Sequence, residues 1–133
     1  MCGILGFYSN KKDLDNNLQQ VLYLSKILRH RGPDWNGIYT SPNNSVVLAH
    51  ERLSIVDVNT GNQPLYSPDK SIILICNGEI YNHLQIRQKY NYNYLTNSDC
   101  EVIIPLYIKY GKDCLKYLDG IFSFMLYDLK NSV

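Results

Sequence analysis

The sequence predicts an α+β fold with largely antiparallel sheets, on three observations. Short apolar segments bounded by turn residues recur along the chain. One longer stretch has helical periodicity. Strands and helices never alternate in the sustained way a parallel βαβ sheet needs. Cys2 to Tyr8 is apolar and glycine-punctuated and reads as a first strand. Asp13 is a candidate cap for a helix in which Leu14, Leu18, Val21, Leu22, Ser25, Ile27 and Leu28 form one face. Arg29 to Asp34 ends it with Gly32-Pro33. Val46–His50 and the continuously apolar Ser71–Cys76 read as strands, with turn chemistry at Asn59–Asn62 and Ser67–Lys70 between them. Asn82–Tyr90 reads as a short helix. Ser98-x-x-Glu101 is a capping box for a helix ending at Gly111, which Pro105 should kink. Lys112–Leu118 is a further short helix, Asp119-Gly120 a turn, and Ile121–Tyr127 a strand. Asp128 to Val133 has the composition of a hairpin turn entering another strand.

At 133 residues the chain is the size of one domain with a real core. A net charge of +1 gives no electrostatic case for nucleic acid or a membrane surface. No apolar run approaches a membrane span and no signal peptide is visible. Cys2, Cys76, Cys100 and Cys114 contain no C-x-x-C pair, so neither a zinc site nor a disulfide framework is expected, and a reducing, cytoplasmic setting is inferred.

The residue with the most chemical potential is Cys2. Methionine before a small side chain is normally removed, which would leave Cys2 with a thiol and a free α-amine. The amine titrates at roughly 7.7–8.0 and can serve as base for its own residue's thiol. Asn77-Gly78, directly after an apolar strand, offers a side-chain amide and a backbone N–H as an oxyanion pair; the same dipeptide is also a tight hairpin turn. Arg52 follows the strand Val46–His50 and could hold a carboxylate, or pair on the surface with Glu51 or Asp57. Asp99 could accept an ammonium or cap a helix beside Ser98. Glu79 could assist that ammonium or be solvated. His30, His50 and His83 lack ligand spacing and read as structural. No glycine-rich phosphate loop is present.

These pieces resemble the glutaminase domain of glutamine-hydrolysing asparagine synthetases, class II glutamine amidotransferases among the N-terminal-nucleophile hydrolases. The matching stretches are MCGILGFY (Met1–Tyr8), RHRGPDWNGIY (Arg29–Tyr39), LAHERLSIVDV (Leu48–Val58), GNQPL (Gly61–Leu65), NGEIYNH (Asn77–His83), SDCEVI (Ser98–Ile103) and LDGIFSFMLYD (Leu118–Asp128). The resemblance implies a four-layer αββα sandwich of two antiparallel sheets, here C-terminally incomplete. It makes 1–133 a glutaminase domain that lacks its last part and any synthetase domain.

The resemblance also implies roles. Cys2 is the nucleophile. Asn77 and Gly78 form the oxyanion hole. Arg52 holds the glutamine carboxylate, with Leu53, Ser54, Ile55 and Val56 lining that wall. Asp99 and Glu79 receive the α-ammonium. No cofactor or metal is expected here; ATP and magnesium belong to the synthetase half, which a separate chain would have to supply. Pro105 departs from the family, which has an ordinary helix former there. Three alternatives stand beside an active glutaminase: a catalytically dead remnant, a glutamine-binding module, and a fragment of a split gene.

Overall fold

Four layers build the computed structural model, which describes residues 2–9, 14–54 and 60–133. One sheet has the order β1 (Gly3–Tyr8), β3 (Val46–Arg52), β2 (Trp35–Thr40); the other has β4 (Leu65–Tyr66), β5 (Ile72–Ile80), β6 (Gly120–Asp128). All pairings are antiparallel. Helix α1 (Leu14–Leu28) covers the first sheet, and α2 (His83–Lys89) and α3 (Ile103–Tyr110) cover the second.

Strand alternation explains the layering. On β3, Val47 and Ala49 face α1 with Val21, whereas Val46 and Leu48 face the second sheet. On β5, Ile73 and Ile75 meet Val46, Leu48 and Tyr127 between the sheets, and Ile72, Leu74, Cys76 and Ile80 meet the helices. Both strands are covered on both sides, which is why Ser71–Cys76 is continuously apolar rather than alternating. Truncating a side chain at the sheet–sheet contact should be costly. Ile75 is fully buried. Ile75→Ala should therefore lose about 2–5 kcal/mol in urea unfolding, with an unchanged m-value.

Several expectations are corrected. The strand β2 was not foreseen: it is a half-exposed edge with Asn36-Gly37 inside it, and only pairing with β3 identifies it. The two-residue β4 was also not foreseen. Asn77-Gly78 is neither a hairpin turn nor the end of a strand. It lies inside β5, paired with Ser123 and Phe122, so cross-strand pairing overrides the local turn preference. Asp119-Gly120 likewise runs on antiparallel to Ile80 and Tyr81 instead of turning. Ile27 is exposed rather than on the buried face of α1, which centres on Val21 and Ser25. Asp13 lies outside the described residues.

The capping box does not form. Ser98 makes no side-chain cap, and the Glu101 carboxylate accepts instead from Leu95 N (2.6 Å), Thr96 N (2.8 Å) and Thr96 Oγ1 (2.6 Å). The chain enters α3 through a 3-10 turn at Asp99–Val102. Pro105 then falls in the first turn of α3, where its missing N–H has no helical partner to lose. The short helix expected over Lys112 to Leu118 is present, as a 3-10 helix over Gly111–Tyr117. The turn after Asp128 is present: Asp128 N donates to Val133 O at 2.6 Å and Val133 N to Asp128 O at 3.3 Å.

Candidate functional site

A cleft of about 250 Å³ opens where the ends of β3 and β5 meet the residue before β1, and it is lined by Cys2, Arg52, Leu53, Asn77, Gly78, Glu79 and Asp99 among others. Seven of the sequence-predicted residues thus share one cavity. Ser54 does not line it, its N–H being donated to Asp34 Oδ2 at 2.8 Å. Ile55 and Val56 lie outside the described residues.

Cys2 is partly exposed and is positioned by register. Gly3 pairs with Glu51, which brings Cys2 beside the end of β3. There Leu53 N points at Cys2 Sγ from 3.3 Å, and Arg31 Nε donates to Cys2 O at 3.1 Å. Arg52 is buried and its Nη1 donates to Asn62 Oδ1 at 2.6 Å. It is no surface pair with Glu51, whose Oε1 is occupied by Ser25 Oγ (2.5 Å) and Asn36 Nδ2 (2.6 Å) on the α1 side of the sheet.

The hydrogen-bonding edges of β5 account for the oxyanion candidates. In an antiparallel strand, N–H and C=O groups of successive residues point to opposite edges. Ser71 O accepts from Leu129 N and Tyr81 N donates to Asp119 O, so odd-numbered residues face β6. Even-numbered residues face the other edge. There Ile72 O accepts from Ser67 N (3.0 Å), Leu74 pairs with Leu65, Cys76 bonds the Gln63 side chain, and Ile80 N donates to Asp99 Oδ2 (2.7 Å). Between them, Gly78 directs its N–H along the same edge, toward the cleft it lines. Asn77, like Ile73 and Ile75, turns its side chain to the inter-sheet side, where Cys2 and Arg52 stand.

Asp99 is therefore not a helix cap: its carboxylate anchors β5. The loop before it is held by a partly buried network. Arg87 Nη2 donates to Thr96 O (3.1 Å) and Ser98 O (2.7 Å), its guanidinium lies 4.1 Å from the Tyr94 ring centre, and Glu101 ties down Leu95 and Thr96.

Sequence reasoning missed Gln63, Cys76, Tyr81 and Cys100 as lining residues. Gln63 and Tyr81 sat in recognised motifs without a role. Contact with the Cys76 thiol, then burial, hold the Cys100 thiol well above its ordinary range, so it is a neutral wall. His50 is fully buried, and its Nε2 donates to Cys76 O at 3.1 Å. Burial pushes it down to about 4, Arg52 adding to the effect and the Cys76 carbonyl opposing it.

This shift has a stability consequence. As pH falls below about 6.5 the unfolded chain takes up a proton that the folded chain refuses until about 4. Stability should decline across that window and level off beneath it, by roughly 3 kcal/mol in total. A His50→Gln variant keeps a donor for the carbonyl and should flatten the curve in urea melts taken across the window.

A thiol, a guanidinium, a carboxylate and two amide donors around one cleft are the parts needed to grip an amino acid and attack its carboxamide. The chain is 52% identical over 130 residues to asparagine synthetase B [glutamine-hydrolyzing] of Escherichia coli, covering 96% of this chain and 23% of that protein. It is 48% identical over 133 residues to asparagine synthetase [glutamine-hydrolyzing] 1 of Arabidopsis thaliana, covering 99% of this chain and 22% of that one. The chain thus spans less than a quarter of these relatives. Among solved structures, a glutamine phosphoribosylpyrophosphate amidotransferase from B. subtilis superposes with a TM-score of 0.69 over 96% of this chain and 35% of its own, at 20% identity, and so shares the α+β sandwich. The family model described as glutamine amidotransferase domain matches residues 1–133 in full, and the chain belongs to that family.

Proposed function

We propose that residues 1–133 are the glutaminase part of an asparagine synthetase and release ammonia from glutamine at Cys2. The observation that carries this reading is the convergence of Cys2, Arg52, Asn77, Gly78 and Asp99 on one cleft from four separate parts of the chain.

In this reading the Arg52 guanidinium takes the glutamine α-carboxylate, with the Leu53–Val56 segment as the adjoining wall. The Asp99 oxygen not used by Ile80, together with Glu79, takes the α-ammonium. That fixes the side-chain amide against the Cys2 sulfur. The thiolate attacks the amide carbon, and negative charge gathers on the carbonyl oxygen. The Asn77 side-chain amide and the Gly78 N–H stabilise it. The Cys2 α-amine, holding the thiol proton, gives it to the departing ammonia. A γ-glutamyl thioester remains, and water activated by the same amine releases glutamate and restores the thiol.

Synthesis of asparagine is proposed only for an assembly that includes a synthetase half, with ATP, magnesium and aspartate bound there. No helix among the described residues is long and apolar enough to cross a membrane.

The test is incubation of the purified protein with glutamine. Glutamate and ammonia should appear in equal amounts, and acid quenching should trap a γ-glutamyl adduct on the Cys2 peptide in mass spectra. Glutamine binding without turnover would favour a binding module, and the absence of both would favour a dead remnant.

A further inference from the structure

We propose that Gln63 is a positioning residue for the oxyanion donors, its side-chain amide closing the β4–β5 ladder at Cys76 so that the Gly78 N–H stays free to face the cleft. The inference rests on the glutaminase reading above and adds to it a residue that contributes no group to the substrate.

The register explains why a side chain is needed here. Leu65 pairs with Leu74. Two residues further along each strand, Gln63 would face Cys76 through its backbone. That backbone is diverted: the Gln63 carbonyl lies against Gly37 of β2, so close that a Cβ on Gly37 would run into it. The Gln63 side chain does the work its backbone has left. Its Oε1 accepts from Cys76 N at 2.6 Å and its Nε2 donates to Cys76 O at 3.0 Å. These are the two hydrogen bonds a neighbouring strand would have made. Both partners are buried, so neither group has water as a substitute.

Had the backbone continued in register, residue 61 would have reached Gly78 and offered its N–H a carbonyl. An amide already bonded to a strand cannot serve an oxyanion. The departure of the chain at Gln63, with the side chain taking over, ends the ladder at the residue pair before Gly78. From the other sheet, His50 Nε2 shares the same Cys76 carbonyl at 3.1 Å. The peptide just ahead of Asn77 and Gly78 is thus fixed from two directions, and donors aimed at a developing charge act only while they are fixed.

Gln63→Met keeps the length of the side chain and removes both hydrogen bonds. In the protein freed of Met1, NMR-detected exchange of the Cys76 amide should then quicken at least about tenfold. The kcat for glutamine should fall about tenfold or more, with KM within about threefold and an unchanged rate of Cys2 alkylation by iodoacetamide. Gln63→Glu keeps the acceptor for Cys76 N, and its kcat should lie between the two. Unchanged kcat with a freed Cys76 amide would overturn the inference, and so would equal Cys76 exchange in both proteins. If the unaltered protein releases no ammonia, the glutaminase reading falls by itself, and the exchange comparison still judges whether Gln63 holds β5.

Discussion

Cys2→Ala protein should lose glutamine hydrolysis by about 10³-fold or more in kcat, with its thermal midpoint nearly unchanged. The size follows from the double duty proposed for this residue. Replacing the sulfur removes the nucleophile and leaves the α-amine no thiol proton to take up. The other cysteines cannot stand in. Cys76, Cys100 and Cys114 are buried, whereas Cys2 is partly exposed. Burial also pushes the Cys114 thiol up, and the Cys76 thiol together with burial does the same to Cys100, so neither yields thiolate readily. Stability should be spared because the Cys2 sulfur makes only long contacts, at 3.3 Å from Leu53 N and 3.7 Å from Leu53 O. Coupled detection of glutamate and ammonia, beside a thermal melt, measures both halves of the prediction. Turnover within tenfold of the parent would mean that the nucleophile lies elsewhere.

Gly78→Ala is expected to lower kcat by about 10²–10³-fold, the effect of losing one oxyanion donor, and to lower stability as well. A Cβ at this position would meet Ile121 O and the Cα and Cβ of Phe122 on β6. Two of those three atoms are backbone and cannot swing aside as a side chain would. The strands must separate, and the Gly78 N–H and the Asn77 side chain move with β5. KM should rise less than kcat falls, because the substrate grips proposed at Arg52 and Asp99 lie elsewhere, on β3 and on the 3-10 turn before α3. Steady-state kinetics with a parallel urea melt distinguishes this outcome from simple unfolding. A normal kcat in a destabilised protein would remove Gly78 from the oxyanion hole.

The residues that line the cleft were more legible in the sequence than the elements that carry them. Cys2, Arg52, Asn77, Gly78 and Asp99 are picked out by motifs that resemble a known family, since each residue alone also has an ordinary structural reading. Helix α1 is recognisable because burial on one face leaves a period, and the long apolar strand because burial on both faces leaves an unbroken apolar run. What stayed hidden depends on partners distant in sequence. β2 contains a turn-like Asn36-Gly37 and is a strand only because β3 lies beside it. Asn77-Gly78 has the local preference of a hairpin and is held straight by β6. Ser98 and Glu101 have capping-box spacing, but the Glu101 carboxylate finds three donors in the loop before it. Gln63 could not be given a role from its motif, because its partner Cys76 is a backbone and leaves no trace in residue type. In each case a local signal lost to a contact that closes only when the sheets assemble.

The unbonded amide at Gly78 also bears on strand pairing along this edge of β5. Exposed strand edges invite pairing with another molecule, and long runs of free donors and acceptors are the hazard. Along this edge of β5, Gln63 and Asp99 block the positions on either side of Gly78. A foreign strand would find a single free donor within a recess and could not build a ladder. The same arrangement that keeps one N–H available for chemistry therefore denies the edge to amyloid-like growth.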